Sequence, residues 1–526
     1  LLKKGPVASP PRIAGVAADW PGLKRGKALI SGKSRRGRHA IVRVCHDVTR
    51  KGNQLKNLLR YRLLGDVAVM TGSVVLWAGY AALAAGQVPG LPSVSGITEL
   101  QKPVADAVQF LCPKLPAPNP NGTLTERLSN SCTLMVVTSL VNQKQLDPNN
   151  PFNLNISDDQ LKRGIQAIAP VQANAQKQIS VEASKMSLVG SRLLDLRGGA
   201  RGLVIGMNGH EAQQAADDHA SGALAGARGG AAGPDDALSG RWGGFVNLGY
   251  AWGDVDETPL QNAYKYGSFS VLAGADYRVS DNFVLGGAIS YSDTHSDYER
   301  SLGNVKARTT GVAGYGTYYV DTWYVDGFIA YGSVDYDSTR NILIPSNNPT
   351  AKAINTSATA SPNGDQWSAS IGVGRSFEMA PITVTPTARL GYIHVKNKAF
   401  TENEPNNGLG LSVDSRTIES LQSALGGKLS TTVNSSVGVF VPYVTANWMH
   451  EFKNDNPSIV SKYVADPLNT IFAIPTATPT RDYAVLAIGS SATLPNNLSG
   501  FAQFSGAVGL KNESNYGIVL GVRKQF

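Results

Sequence analysis

The sequence predicts a mainly β protein: a twelve-stranded antiparallel barrel of the outer-membrane type, with a preceding lumen α-helix and a small disulfide-containing helical N-terminal region. Three observations predict it. From Arg241 onward the chain repeats runs in which apolar and polar residues alternate. Short turns and long loops join these runs alternately. The last run continues to the end of the chain, where Tyr516, Ile518, Leu520, Val522 and Phe526 fall on one face. Period two marks a strand with two different environments. An even number of strands, with loops long at one rim and short at the other, suits a barrel that spans a membrane. Closing the sheet satisfies every edge, as hydrocarbon requires.

Charge is unevenly spread over the 526 residues. Residues 1–84 carry 16 Lys or Arg against 3 Asp or Glu, whereas the whole chain is only +9, so the remainder is net acidic. A basic field confined to a leader gives little support to a nucleic-acid partner. Within the leader, "RYRLLGDVAVMTGSVVLWAGYAALAAGQVPG" runs from basic to apolar to small residues, and Ala82-Leu83-Ala84 fits a signal-peptidase site. A basic leader and signal peptide over 1–84 therefore predicts export.

Residues 85–156 form a short passenger-like region. Cys112 and Cys132 flank a Pro- and Asn-rich loop between two helical stretches. In an oxidising compartment such a pair joins, contributing roughly 3 kcal/mol by restricting the unfolded chain. With no CxxC spacing or neighbouring histidine, the pair reads as structural rather than catalytic or metal-binding. Residues 157–201 form a helical segment, capped by Ser157 or Asp158 and broken or bent at Pro170, which by its own residues is a coiled-coil or surface helix or, alternatively, a polar helix lying partly in the barrel lumen. Residues 202–240 are a Gly/Ala-rich linker.

Strands are expected near 241–253, 266–279, 282–295, 305–319, 322–337, 365–378, 381–395, 415–430, 437–451, 480–490, 497–510 and 515–526. In "VPYVTANWMHEF", Tyr443, Thr445, Asn447 and Glu451 oppose Val444, Ala446 and Trp448. In "ITVTPTARLGY", Thr383, Thr385, Thr387 and Arg389 oppose Val384, Ala388 and Leu390. Polar inside and apolar outside is the membrane arrangement, with Trp242, Trp252, Tyr291 and Tyr392 as candidate girdle residues. Arg375 shares a face with Ile371 and Val373, which is affordable only near a rim. Pro386 needs a break in the ladder.

No enzyme is predicted. The chain has no GxSxG, and His210-Glu211 lacks the continuation of a zinc motif. His295, His394 and His450 lie near strand ends without a nucleophile motif. Neither cofactor nor metal is expected.

The stretches "GRWGGFVNLGYAWGD", "YRVSDNFVLGGAISYS", "PYVTANWMHEF" and "GIVLGVRKQF" resemble the translocator domain of bacterial autotransporters, the type V secretion proteins, over residues 241–526. The resemblance implies a twelve-stranded barrel with a helix in its lumen and a passenger outside. It also implies that the barrel-assembly machinery reads the terminal row Tyr516, Ile518, Leu520, Val522 and Phe526. Lumen residues Arg389 and Glu451 are then expected to hold the helix through Asp195 or Arg197. Unlike larger family members, this chain has only about 70 residues between leader and helix, no repeated solenoid and no evident self-cleavage motif. The expected protein anchors and displays its own short N-terminal region at the cell surface. Its partners are then outer-membrane lipid, the assembly machinery, and host or neighbouring-cell surfaces. A surface adhesin acting through its loops, or a porin-like channel without a passenger, are the alternatives.

Overall fold

The computed structural model describes residues 90–170, 241–453 and 456–525. The leader, Cys45, the helical segment beyond Pro170, the linker, Asp195, Arg197, His210, His219 and Phe526 lie outside the described residues. All described residues belong to the unit Trp77–Phe526.

Twelve strands close into an antiparallel ring: β1 Trp242–Val255, β2 Tyr264–Ser280, β3 Phe283–Tyr298, β4 Gly303–Val320, β5 Trp323–Ile344, β6 Asn363–Arg375, β7 Ile382–Asn397, β8 Arg416–Thr431, β9 Gly438–Glu451, β10 Asp482–Leu494, β11 Leu498–Val508 and β12 Tyr516–Gln525. Neighbours in sequence pair, and β12 returns to β1 with Val522 opposite Val246 and Leu520 opposite Leu248. Every strand therefore has a partner on both sides. Among the described residues no helix is long and apolar enough to cross a membrane.

The alternation sorts the two faces as the sequence predicts. Ile289, Ile329 and Ile371 point outward and are 67%, 62% and 58% exposed, while Asn247, Asp276 and Asp326 on the other face are buried. On β1 the outward row runs from Trp242 to Trp252 before Asp254. Ten steps of about 3.3 Å, tilted by roughly 40°, give an apolar band of ~25 Å, the height of a bilayer's hydrocarbon in such barrels. Aromatics mark both edges of the band. Trp242 packs on Tyr277 at one edge, with ring centroids 4.9 Å apart, and Trp367 packs on Tyr392 at the other, at 4.8 Å. Charged residues begin just beyond the second edge, where Arg308 pairs with Asp337 and His450 Nδ1 lies 2.7 Å from Asp482.

The two awkward residues have physical explanations. Arg375 sits at the short-turn rim, its guanidinium 5.2 Å from the Trp323 ring and 4.8 Å from that of Phe377. Pro386 falls in a gap of the ladder between β6 and β7: pairing stops at Gly374–Thr387 and resumes at Phe377–Val384.

Three segments between the expected barrel strands contain strands of their own, forming a hairpin and a small sheet. Beyond residue 337, β5 continues to Ile344 and pairs with Ile354–Ala360 as a hairpin. Phe400–Thr401, Leu411–Val413, Ile459–Tyr463 and Phe472–Ile474 form a separate four-stranded sheet. Both extend from the long-loop rim. Ile342 and Ile344, and Ile354, Thr356 and Ala358, alternate as strands do, but the Pro, Asn and Ser around them read as loop.

The N-terminal region is helical: α1 Gln101–Leu111, α2 Leu124–Asn142 and α3 Asp158–Ala167. Capping boxes start α2 (Thr123 with Glu126) and α3 (Ser157 with Gln160), each satisfying two backbone donors. The described start of the predicted 157–201 segment thus ends at Ala167 and belongs to this helical cap.

Candidate functional site: the capped rim of the barrel

The barrel has two unlike rims. Trp242, Gln525 and the turns around Asp281 and Asp321 lie at one; the hairpin 338–360, the loops 398–415 and 452–481, and the cap lie at the other. The cap is built into the second rim. One continuous apolar core contains Val104, Leu111, Leu128, Met135, Leu161 and Ile165 from the helices together with Ile342, Ile344, Ile354, Leu411, Phe472 and Ile474 from the loops.

Polar ties cross the same boundary. Leu100 N donates to Pro259 O at 3.0 Å, Thr125 Oγ1 to Ala465 O at 3.0 Å, Ser131 Oγ to Asn407 O at 3.1 Å, and Asn347 N to Leu154 O at 2.9 Å. Segments from four different connections of the barrel therefore hold the cap. The strongest tie is Arg340, whose side chain is 1% exposed. Its Nε donates to Glu402 Oε1 at 3.0 Å, its Nη2 also engages Glu402 Oε2, and its Nη1 donates to Ala167 O at 3.0 Å. A cation at the C-terminal carbonyls of α3 also complements the helix dipole. Glu402 Oε2 in turn accepts from Leu411 N at 2.9 Å. Close by, Tyr463 packs on Phe472, and burial pushes its hydroxyl well above its ordinary range. At the surface of α3, the hydrogen bond from Lys162 holds the Asp159 carboxyl below its usual value.

The structure brings Cys112 and Cys132 together as a disulfide with Cα atoms 5.8 Å apart, joining the end of α1 to the middle of α2. It places Arg389 and Glu451 on the lumen face but gives each barrel partners. Arg389 donates to Asp326 Oδ1 and to Ser370 Oγ, both at 2.8 Å. It reaches over β6 at Gly372, where an added Cβ would stand 2.8 Å from the Asp326 carboxylate. Glu451 accepts from Ser420 Oγ at 2.5 Å, Leu421 N at 3.0 Å and Lys453 N at 2.9 Å. Tyr516, Ile518, Leu520 and Val522 form one outward row on β12, between 40% and 56% exposed. Sequence reasoning missed Arg340, Glu402 and the apolar rows of the hairpin, whose alternation was the available signal.

Comparison with known proteins agrees with this architecture. Residues 244–505 match the family model described as "Autotransporter beta-domain". Lipase 1 of Photorhabdus luminescens is 26% identical over 262 residues, which is 49% of this chain and 38% of that protein, so the match spans well under half of the relative. Among solved structures, the chain is similar to the translocator domain of autotransporter NalP from Neisseria meningitidis (18% identity, 55% of this chain and 90% of that chain, TM-score 0.43). It is likewise similar to the beta domain of the Bordetella autotransporter Brka (18% identity, 54% and 100%, TM-score 0.41). The closed twelve-stranded ring, its outward apolar band and the family match over 244–505 make this chain a member of the autotransporter family, with an outer-membrane translocator β-barrel.

Proposed function

We propose that this autotransporter carries its own residues 90–170 to the cell surface and keeps them there as a cap on the barrel. The observation that carries the reading is the placement of the chain at the two rims. Ala167 is tied to Arg340 at the long-loop rim, whereas Arg241 O accepts from Arg278 N at the short-turn rim. The intervening chain must join the rims, and inside a closed barrel in lipid the lumen is the aqueous route. A helix of about 20 residues spans roughly 30 Å, so the available length suffices. An epitope inserted at Ala117–Pro118, in the exposed turn between α1 and α2, should bind antibody on intact cells. Binding only after the outer membrane is opened would remove the display reading.

The outward row of β12 is proposed as the signal for the barrel-assembly machinery, and the exported cap as a contact for host or neighbouring-cell surfaces. Asp195 and Arg197 are proposed to contact Arg389 and Glu451 in the lumen, adding to the partners those two already have. Replacing Arg389 and Glu451 by Ala should then raise single-channel conductance; an unchanged trace would remove the pairing.

The cap is further proposed to act by binding, not by catalysis. In support, its buried serine hydroxyls donate to backbone carbonyls: Ser129 to Pro116, Ser131 to Asn407, Ser139 to Val136. The described histidines lie on the barrel, where His295 and His450 face Asp297 and Asp482. Hydrolysis of a short-chain nitrophenyl ester by the full chain in vesicles, lost on removal of residues 90–170, would overturn this.

A further inference from the structure

The cap and the loops do not divide into two domains. Among the described residues, twelve of the 33 buried members of their common core come from the barrel loops. Taken alone, residues 90–170 would leave α2 and α3 with their loop-facing sides in water, and a chain of about 80 residues has little apolar burial to spare. The loops have the reciprocal problem. Ile342, Ile344, Ile354, Leu409, Leu411 and Ile474 are at most 1% exposed with the cap in place, and without it they would form an apolar patch at a water-facing rim.

The fit is made at backbone level, beyond what a generic sticky surface provides. Gly164 of α3 lies against Ile344, where an added Cβ would be 3.1 Å from its side chain. Gly408 adopts a left-handed φ of +70°, and an added Cβ there would stand 2.4 Å from Leu124 O and 2.9 Å from Leu128 Cβ. Glu404 fixes that loop by accepting from Asn406 N, Asn407 N and Leu409 N at 2.9–3.0 Å, with Thr356 Oγ1 of the hairpin at 2.7 Å. One loop is thus shaped by the other, and both are shaped to the helices.

We infer that the long loops are the folding template of the exported segment: residues 90–170 acquire their fold by condensing onto the 338–360 hairpin and the four-stranded loop sheet as they emerge. The inference rests on the display reading for the direction of emergence. It assigns the loops a function in maturation of the cap, and it makes the cap and barrel a matched pair within one chain.

The test uses the full chain in outer-membrane vesicles. Ile342→Asp with Ile344→Asp disables the hairpin, and Ile459→Asp with Ile474→Asp independently disables the sheet. Amide exchange is read by mass spectrometry on peptides from α2, with the heat-dependent gel shift of the barrel as control. Each pair should speed exchange in α2 at least a hundredfold while the barrel's shift and its strand protection stay as in the unaltered chain. Retained protection of α2 in either pair would overturn the inference, because the helices would then be folding by themselves. Loss of the barrel's gel shift would also overturn it, because the proposal confines these side chains to the cap. A hidden epitope in the unaltered chain would instead defeat the display reading while leaving the exchange result to stand separately.

Discussion

Arg340→Met is expected to loosen the cap strongly, and Arg340→Met combined with Glu402→Leu to restore much of the loss. The single substitution leaves the Glu402 carboxylate, whose side chain is only 6% exposed, without its cation. Breaking one partner of a buried pair costs about 3–5 kcal/mol, whereas replacing both partners by apolar groups of similar volume is often neutral or better. Arg340 also carries bonds to Ala167 O and to Leu409 O at 2.9 Å. Each unmade bond to a buried carbonyl adds about 1–3 kcal/mol, so the double variant should recover only in part. Protease susceptibility of the 398–415 loop and of the α3 boundary, measured for both single variants and the double, closes the cycle. Equal susceptibility in all four proteins would show that this pair does not hold the cap.

A charge placed on the outward face should be penalised according to its depth. Ile289 stands opposite Ala273 and Val312 near the middle of the apolar band, so Ile289→Arg is expected to destabilise the barrel by about 2–4 kcal/mol. Asn304→Arg lies on the same outer surface but beyond the aromatic edge, beside Asp297 on the neighbouring strand, where the cost falls to about 0–1 kcal/mol. Urea unfolding in lipid vesicles, followed by the heat-dependent gel shift, measures both. A large loss at Asn304 with none at Ile289 would mean that the membrane does not lie where the apolar band places it.

The barrel was legible because each of its strands meets two different environments. Lipid outside and a packed, polar lumen inside impose period two on every strand, and the terminal row Tyr516, Ile518, Leu520 and Val522 shows it as clearly as the interior ones. The face assignment of Thr385, Arg389, Tyr443 and Glu451 followed from the same pattern. Cys112 and Cys132 were legible as a pair because the sequence has one other cysteine, Cys45, and the expected export puts the pair in an oxidising compartment. The partner of Arg389 was not legible, because Asp326 lies two strands away across Gly372 and no local spacing links them. Neither was the loop sheet, whose strands of two to five residues are separated by Pro- and Asn-rich turns and pair only in three dimensions. Arg340 and Glu402 read as two ordinary loop charges until the fold brings them together beneath α3.

The display account is tested most directly by comparing the two rims on intact cells with a membrane-impermeant maleimide. Ala117→Cys places a thiol in the exposed turn of the cap, and Asp281→Cys places one in the short turn between β2 and β3. The account predicts that Ala117→Cys is labelled on intact cells and Asp281→Cys only after lysis. Labelling of Asp281→Cys alone on intact cells would invert the barrel and contradict display of the cap at the surface.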